Sequence, residues 1–173
     1  KDHILVSQGE YRSRSLAQDK KSIFGKIIKI NINSLNNYEI FSMGLRNPQG
    51  LYINKEANII LMTDHGPQGG DEINIHNFKV DVLPNYGWPV ASYGEHYGSD
   101  KMIYGDNQKK STTSLKMKEL YKKYPLLKSH KKNGYKEPIK YFKKSVAISE
   151  ITCLEDKKKL CCLIIKRKIV IFF

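Results

Sequence analysis

Residues 44–51 read Gly-Leu-Arg-Asn-Pro-Gln-Gly-Leu, and residues 64–74 read Asp-His-Gly-Pro-Gln-Gly-Gly-Asp-Glu-Ile-Asn. Each stretch sets charged or amide side chains between Gly and Pro, the residues that hold a loop in a special backbone geometry. Strand-like text flanks both: residues 50–54 and 58–63 before the second loop, and residues 72–76 within and after it. Polar loops carried at close intervals on short strands are how an all-β scaffold presents a site.

The text on either side agrees. Residues 3–7 alternate as a strand, residues 8–21 are polar and loop-like, and residues 23–32 are rich in β-branched side chains. A turn at 33–37 leads to a strand at 38–42, and residues 138–151 read as one more strand. Between them, Leu115, Met117, Leu120, Tyr121 and Tyr124 recur at loose helical spacing within residues 109–124, without a firm cap. Many short strands without a βαβ rhythm give an all-β domain; the pattern alone leaves sandwich and propeller open. From residue 152 the text shifts to Lys, Cys, Ile and Leu. It reads either as a strand pair or, the favoured expectation, as a translated frameshift, because it breaks the local consistency of what precedes it.

With 173 residues the chain can build one domain with a core, and its formal charge is +13. The charge is unevenly placed. Residues 1–100 carry 10 Lys+Arg against 11 Asp+Glu, whereas residues 101–144 carry 14 Lys against 3 acids. Lys is a solvated point charge and Arg the forked phosphate ligand, so this excess reads as a solvated, biased face rather than a nucleic-acid surface. Cys153, Cys161 and Cys162 have no His or Cys partner at metal-site spacing and read as free thiols. The opening Lys1-Asp2-His3 does not read as a signal peptide and suggests a cut rather than a natural start, and residues 169–173 are too short an apolar run to span a bilayer.

The two loops and their neighbours resemble the soluble pyrroloquinoline-quinone-dependent glucose/sorbosone dehydrogenase family. The matching blocks run from Val6-Ser7-Gln8-Gly9-Glu10 with Arg14, Ala17-Gln18-Asp19 and Gly25-Lys26-Ile27, through both loops, to Asn85–Pro89, Ser92-Tyr93-Gly94, Tyr97-Gly98 and the block 138–149. The resemblance implies part of a six-bladed β-propeller, about half of its blades, over residues 1–151. Residues 101–137 would be a Lys-rich loop insertion with room for a short helix, and 152–173 an atypical tail. It also implies a parent that is periplasmic or secreted.

The same resemblance implies site residues. Arg46, Asn47 and Tyr97 would contact pyrroloquinoline quinone, whose three carboxylates and ortho-quinone suit a forked cation and an amide donor. Gly66 and Pro67 would offer carbonyl oxygens to the calcium beside the quinone, and Glu72 and Tyr86 would serve a structural calcium. The loop from Glu72 to Tyr86 is longer than the family pattern. Asp71 reads as a brace for its loop, and His65 as structural. Glu10 stands where the family has the acid that orients a catalytic histidine, a base expected upstream of Lys1.

The implied chemistry is oxidation of an aldose C1 hydroxyl to a lactone by hydride transfer to the quinone, with an external electron acceptor; alone, this chain is expected to be inactive. The competing reading is a non-catalytic propeller module that binds carbohydrate or protein, since one fold hosts many functions.

Overall fold

A computed structural model describes residues 2–34, 36–80, 82–97, 115–156, 159–164 and 169–172. Among the described residues, ten strands form three antiparallel sheets. The first sheet holds β1 (His3–Gln8), β2 (Lys26–Asn31) and β3 (Tyr38–Met43) in chain order. The second runs β4 (Pro48–Asn54), β5 (Ile59–Asp64), β6 (Asp71–Asn77) and β7 (Lys140–Phe142). The third holds β8 (Ile151–Asp156), β9 (Lys159–Ile164) and β10 (Ile169–Phe172). Each is an up-and-down meander, and the first strand of the second sheet, β4, lies beside both β1 and β8. That arrangement is three blades of a β-propeller, as expected.

The strand β5 shows why an almost continuous apolar run belongs here. Successive side chains point to opposite faces. Leu61 therefore joins Ile73, Ile148 and Ile151 in a core toward the third sheet, while Met62 joins Ile27, Leu45 and Tyr86 in a core toward the first. A blade between two blades is buried on both faces, so strict polar alternation is lost. β4 meets β8 so closely that a Cβ on Gly50 would lie 2.6 Å from the Ile151 nitrogen, which fixes glycine there.

Two sequence expectations change. The strand expected over residues 138–151 is two: β7 ends at Phe142 and β8 begins at Ile151. The Asp71 carboxylate bonds the Ser145 hydroxyl at 3.2 Å and the Val146 N–H at 2.8 Å, and Ala147 has φ 50°. That turn breaks the ladder. The loop at 8–21 contains a short 3₁₀ helix, Arg14–Ala17. Its Leu16 and Ala17 carbonyls, with that of Phe24, accept from the ammonium of fully buried Lys26 at 2.8–2.9 Å.

Helix α1 (Leu115–Lys123) lies within the helical stretch expected at 109–124, whose residues 109–114 fall outside the described residues, as does much of the insertion at 101–137. Among the described residues of 152–173 the backbone forms paired strands, β8 to β10.

Candidate functional site

The site is built where β4, β5 and their loops meet the first sheet. Asp64, the last residue of β5, accepts the backbone N–H of Arg46 at 2.9 Å and of Asn47 at 2.6 Å. Burial pushes its carboxyl up to about 6, against the pull of these two bonds and of the Arg46 charge. The loop is fastened from the other side by the Glu10 N–H to the Arg46 carbonyl, 2.9 Å. A Cβ on Gly9 would stand 3.0 Å from Asn47 Oδ1, so β1 and this loop are in close contact.

The Arg46 guanidinium donates to the His65 carbonyl at 3.0 Å and to the Tyr97 hydroxyl at 2.8 Å, and its buried Nε–H has no partner. Tyr97 reaches it through a second loop contact. Gln68 and Glu95 exchange backbone hydrogen bonds of 3.1 and 3.0 Å. Gly70, at φ +71°, approaches Gly94 so nearly that a Cβ would sit 2.0 Å from the Gly94 nitrogen. Asp71 bonds the Gly66 N–H at 3.0 Å as well as Ser145 and Val146, which is the bracing role read from the sequence.

Gly66, Glu72 and Tyr86 line one narrow cavity with Arg46 and Asp64; Pro67 is not in that lining. Glu72 is buried, and its two oxygens face His130 Nε2 at 3.4 Å and Asn74 Nδ2 at 3.2 Å. Burial raises the Glu72 pKa well above the carboxylate range, helped by the Asp64 charge, and burial lowers that of His130. Both shifts favour the neutral forms over an ion pair. Calcium takes six to eight oxygen ligands. Both Glu72 oxygens are already engaged, and no three His, Cys, Asp or Glu converge on a metal-sized site among the described residues.

Beyond Arg46 the surface opens into a cleft of ≈ 1010 Å³ lined by Glu10, Arg12, Arg14, Arg46, Tyr97 and, from α1, Met117, Leu120 and Tyr121 among others. Among the described residues the ion pairs are Lys29–Glu39, Lys128–Glu95 and the His130–Glu72 contact, so none of these three arginines is paired. Glu10 is buried, with Oε2 unpartnered and its pKa raised by burial over the opposing arginine charges. Tyr11 and Arg12, at φ 48° and 65°, hold a tight turn closed by the Ser13 N–H to the Glu10 carbonyl. Left-handed non-glycine residues in succession are strained and concentrate at functional sites.

Unpaired arginines and an orphaned guanidinium N–H around an open cleft suit a planar polycarboxylate, so the donor chemistry here fits pyrroloquinoline quinone. Sequence reading named Arg46, Asn47, Tyr97 and Glu10 as candidates, and of these Glu10, Arg46 and Tyr97 line the cleft. It gave no role to Arg12, Arg14 or Trp88, nor to His96 and Tyr121, which come together only through the loop pairing and α1. A surplus of arginine over acid at residues 10–14 was the available signal. Gly98 lies outside the described residues.

Comparison with known proteins agrees with this geometry. The glucose/sorbosone dehydrogenase family pattern matches residues 1–120. The chain is 31% identical over 170 residues to the aldose sugar dehydrogenase YliI of Escherichia coli K12, covering 91% of this chain and 39% of that protein. In fold it resembles the apo form of the soluble E. coli aldose sugar dehydrogenase, with TM-score 0.63, 24% identity, and coverage of 99% of this chain and 50% of that one. It also resembles the PQQ-bound aldose sugar dehydrogenase of Streptomyces coelicolor, with TM-score 0.56, 18% identity, and coverage of 99% and 45%. The chain thus spans half or less of the length of these relatives. With the family pattern matched over most of its length, this chain belongs to the glucose/sorbosone dehydrogenase family.

Proposed function

We propose that this chain carries a cofactor half-site of a pyrroloquinoline-quinone-dependent sugar dehydrogenase. The observation that supports the reading best is the Arg46 guanidinium: anchored on the His65 carbonyl and the Tyr97 hydroxyl, it retains a buried, unpartnered Nε–H beside an open cleft. Arg46 would hold a carboxylate or quinone oxygen. Asn47, whose backbone Asp64 fixes, would offer an amide donor beside it. The Tyr97 hydroxyl, 40% exposed at the residue level, would meet the cofactor edge from the opposite loop.

When bound, the quinone supplies a two-electron acceptor for the hydride that leaves the sugar C1 carbon as its hydroxyl becomes a lactone carbonyl. Glu10 would hold a base in position by accepting its N–H; its burial keeps water from competing for that bond. The electrons would pass on to an external acceptor, in a parent that is periplasmic or secreted. Residues 1–151 together with the strands of the third sheet would act as the partial propeller, with 101–137 an insertion at the cleft. Because the chain spans half or less of these relatives' lengths, little or no turnover is expected from it alone. Glu72 and Tyr86 would serve a structural calcium, and the carbonyls of Gly66 and Pro67 an ion beside the quinone.

Calorimetric titration of pyrroloquinoline quinone, with and without calcium, into the chain and into Arg46→Ala tests this. Saturable heat that weakens in the variant is the expected result. A flat trace from folded protein would favour a propeller module that binds carbohydrate or protein without catalysis.

A further inference from the structure

Arg14 occupies a built position. Its guanidinium carbon lies 5.3 Å from the Trp88 ring centre and 5.4 Å from that of Tyr121, and its Nη1 is 3.0 Å from His96 Nδ1. His96 is 8% exposed, stacks on Tyr121 with ring centres 4.1 Å apart and planes 8° from parallel, and places Nε2 2.9 Å from the Tyr124 carbonyl. Arg can only donate and a carbonyl can only accept. Those partners demand a neutral imidazole with Nδ1 as acceptor and Nε2–H as donor. Burial lowers the His96 pKa in the same sense.

A cation held by two rings and one buried histidine has lost most of its rotamer freedom before any ligand arrives, which is the main cost of binding through a long side chain. One of its five N–H donors is spent on His96, and the guanidinium lines the cleft with Arg12 and Arg46. Arg46 also approaches Trp88, at 5.7 Å. The two guanidinium groups therefore flank one ring. The lining holds one acid, Glu10, whose carboxyl burial drives toward the neutral form.

We propose that Arg14 is a carboxylate-binding residue of this cleft, oriented by Trp88, Tyr121 and His96, and that it acts with Arg46 on a ligand bearing a carboxylate. The inference rests on the cofactor reading above and extends it. The carboxylate belongs either to the quinone or to an acidic sugar in the substrate position. Helix α1 shares in recognition by supplying the Tyr121 half of the clamp.

The test titrates pyrroloquinoline quinone, glucuronate and, as a neutral control, glucose into the full chain and into Arg14→Gln, Arg14→Lys and Arg46→Ala. Trp88 is the single tryptophan, so its fluorescence reports the cleft directly, and near-ultraviolet circular dichroism checks folding. Arg14→Gln is expected to weaken a carboxylated ligand on the order of ten- to a hundredfold, with glucose unaffected and Lys restoring only part of the loss. Loss confined to the quinone assigns the carboxylate to the cofactor; loss confined to glucuronate assigns it to the sugar. Wild-type affinity for both ligands in folded Arg14→Gln, with Arg46→Ala impaired, overturns the proposal and leaves the cofactor reading standing. No binding of either carboxylated ligand to wild type overturns both.

Discussion

The Asp64 carboxylate accepts the backbone N–H of Arg46 at 2.9 Å, so the strand behind the loop holds the backbone from which the guanidinium projects. Asp64→Asn can present one oxygen to two N–H groups and must aim an N–H at the other. The expected loss is about 1–3 kcal/mol of stability, the cost of one unsatisfied buried donor. Urea unfolding of the two proteins measures it, and an unchanged midpoint would sink this account of the loop.

The same residue gives a pH dependence. Its pKa is raised from 3.8 to about 6 in the folded protein, so the folded state holds this proton more tightly than the unfolded chain. Its contribution to stability is therefore greatest below the unfolded value and falls as pH rises to about 6, by about 3 kcal/mol at most. Unfolding free energies of wild type and Asp64→Asn between pH 4 and 7 should show a downward slope in the first that flattens in the second.

Lys26 is charged at neutral pH even though burial lowers it to about 8, and its three N–H donors match three carbonyls. Lys26→Met fills the volume but strands all three oxygens. A loss on the order of 3 kcal/mol or more is expected, with the 3₁₀ turn that carries Arg14 the first part to loosen. Thermal unfolding, combined with hydrogen exchange over residues 14–18, would reveal it; protection equal to wild type would argue against the role.

If Glu72 and His130 form a neutral hydrogen bond, Glu72→Gln should change stability at pH 7 by less than about 1 kcal/mol, whereas removing one partner of a buried ion pair costs about 3–5 kcal/mol. If Glu72 holds an ion instead, added calcium should raise the melting temperature of the cofactor-free chain and Glu72→Gln should abolish the rise, because a ligand of the folded state stabilises it; an unchanged melting temperature would exclude calcium at this carboxylate.

Gly70 couples the two loops. Gly70→Ala places a methyl group into the Gly94 backbone at a φ of +71°, which an L side chain rarely adopts. The expected cost is about 1–2 kcal/mol or more, with weaker cofactor binding as Tyr97 withdraws from Arg46. Affinity equal to wild type in the folded variant would show that the loop contact does not position Tyr97.

Much of this was written in the chain. Gly and Pro at fixed offsets declare the loops at 44–51 and 64–74, and short β-branched runs declare the strands, because turn geometry and pleat period are local properties. Arg46, Asn47 and Tyr97 could be named as cofactor candidates through the family resemblance that the text carries. Other features needed the third dimension. Nothing in the text around Lys26 shows that three carbonyls close around its ammonium. His130 lies in a stretch read as solvated, yet it is 1% exposed and faces Glu72. Arg14, Trp88, His96 and Tyr121 are scattered over more than a hundred positions, and only the pairing of Gln68 with Glu95 and the seating of α1 bring them around one cleft. Local sequence decides which segments turn and which extend. Which charges are buried, and beside what, is decided by contacts between blades, where desolvation acts on groups that are distant in the chain.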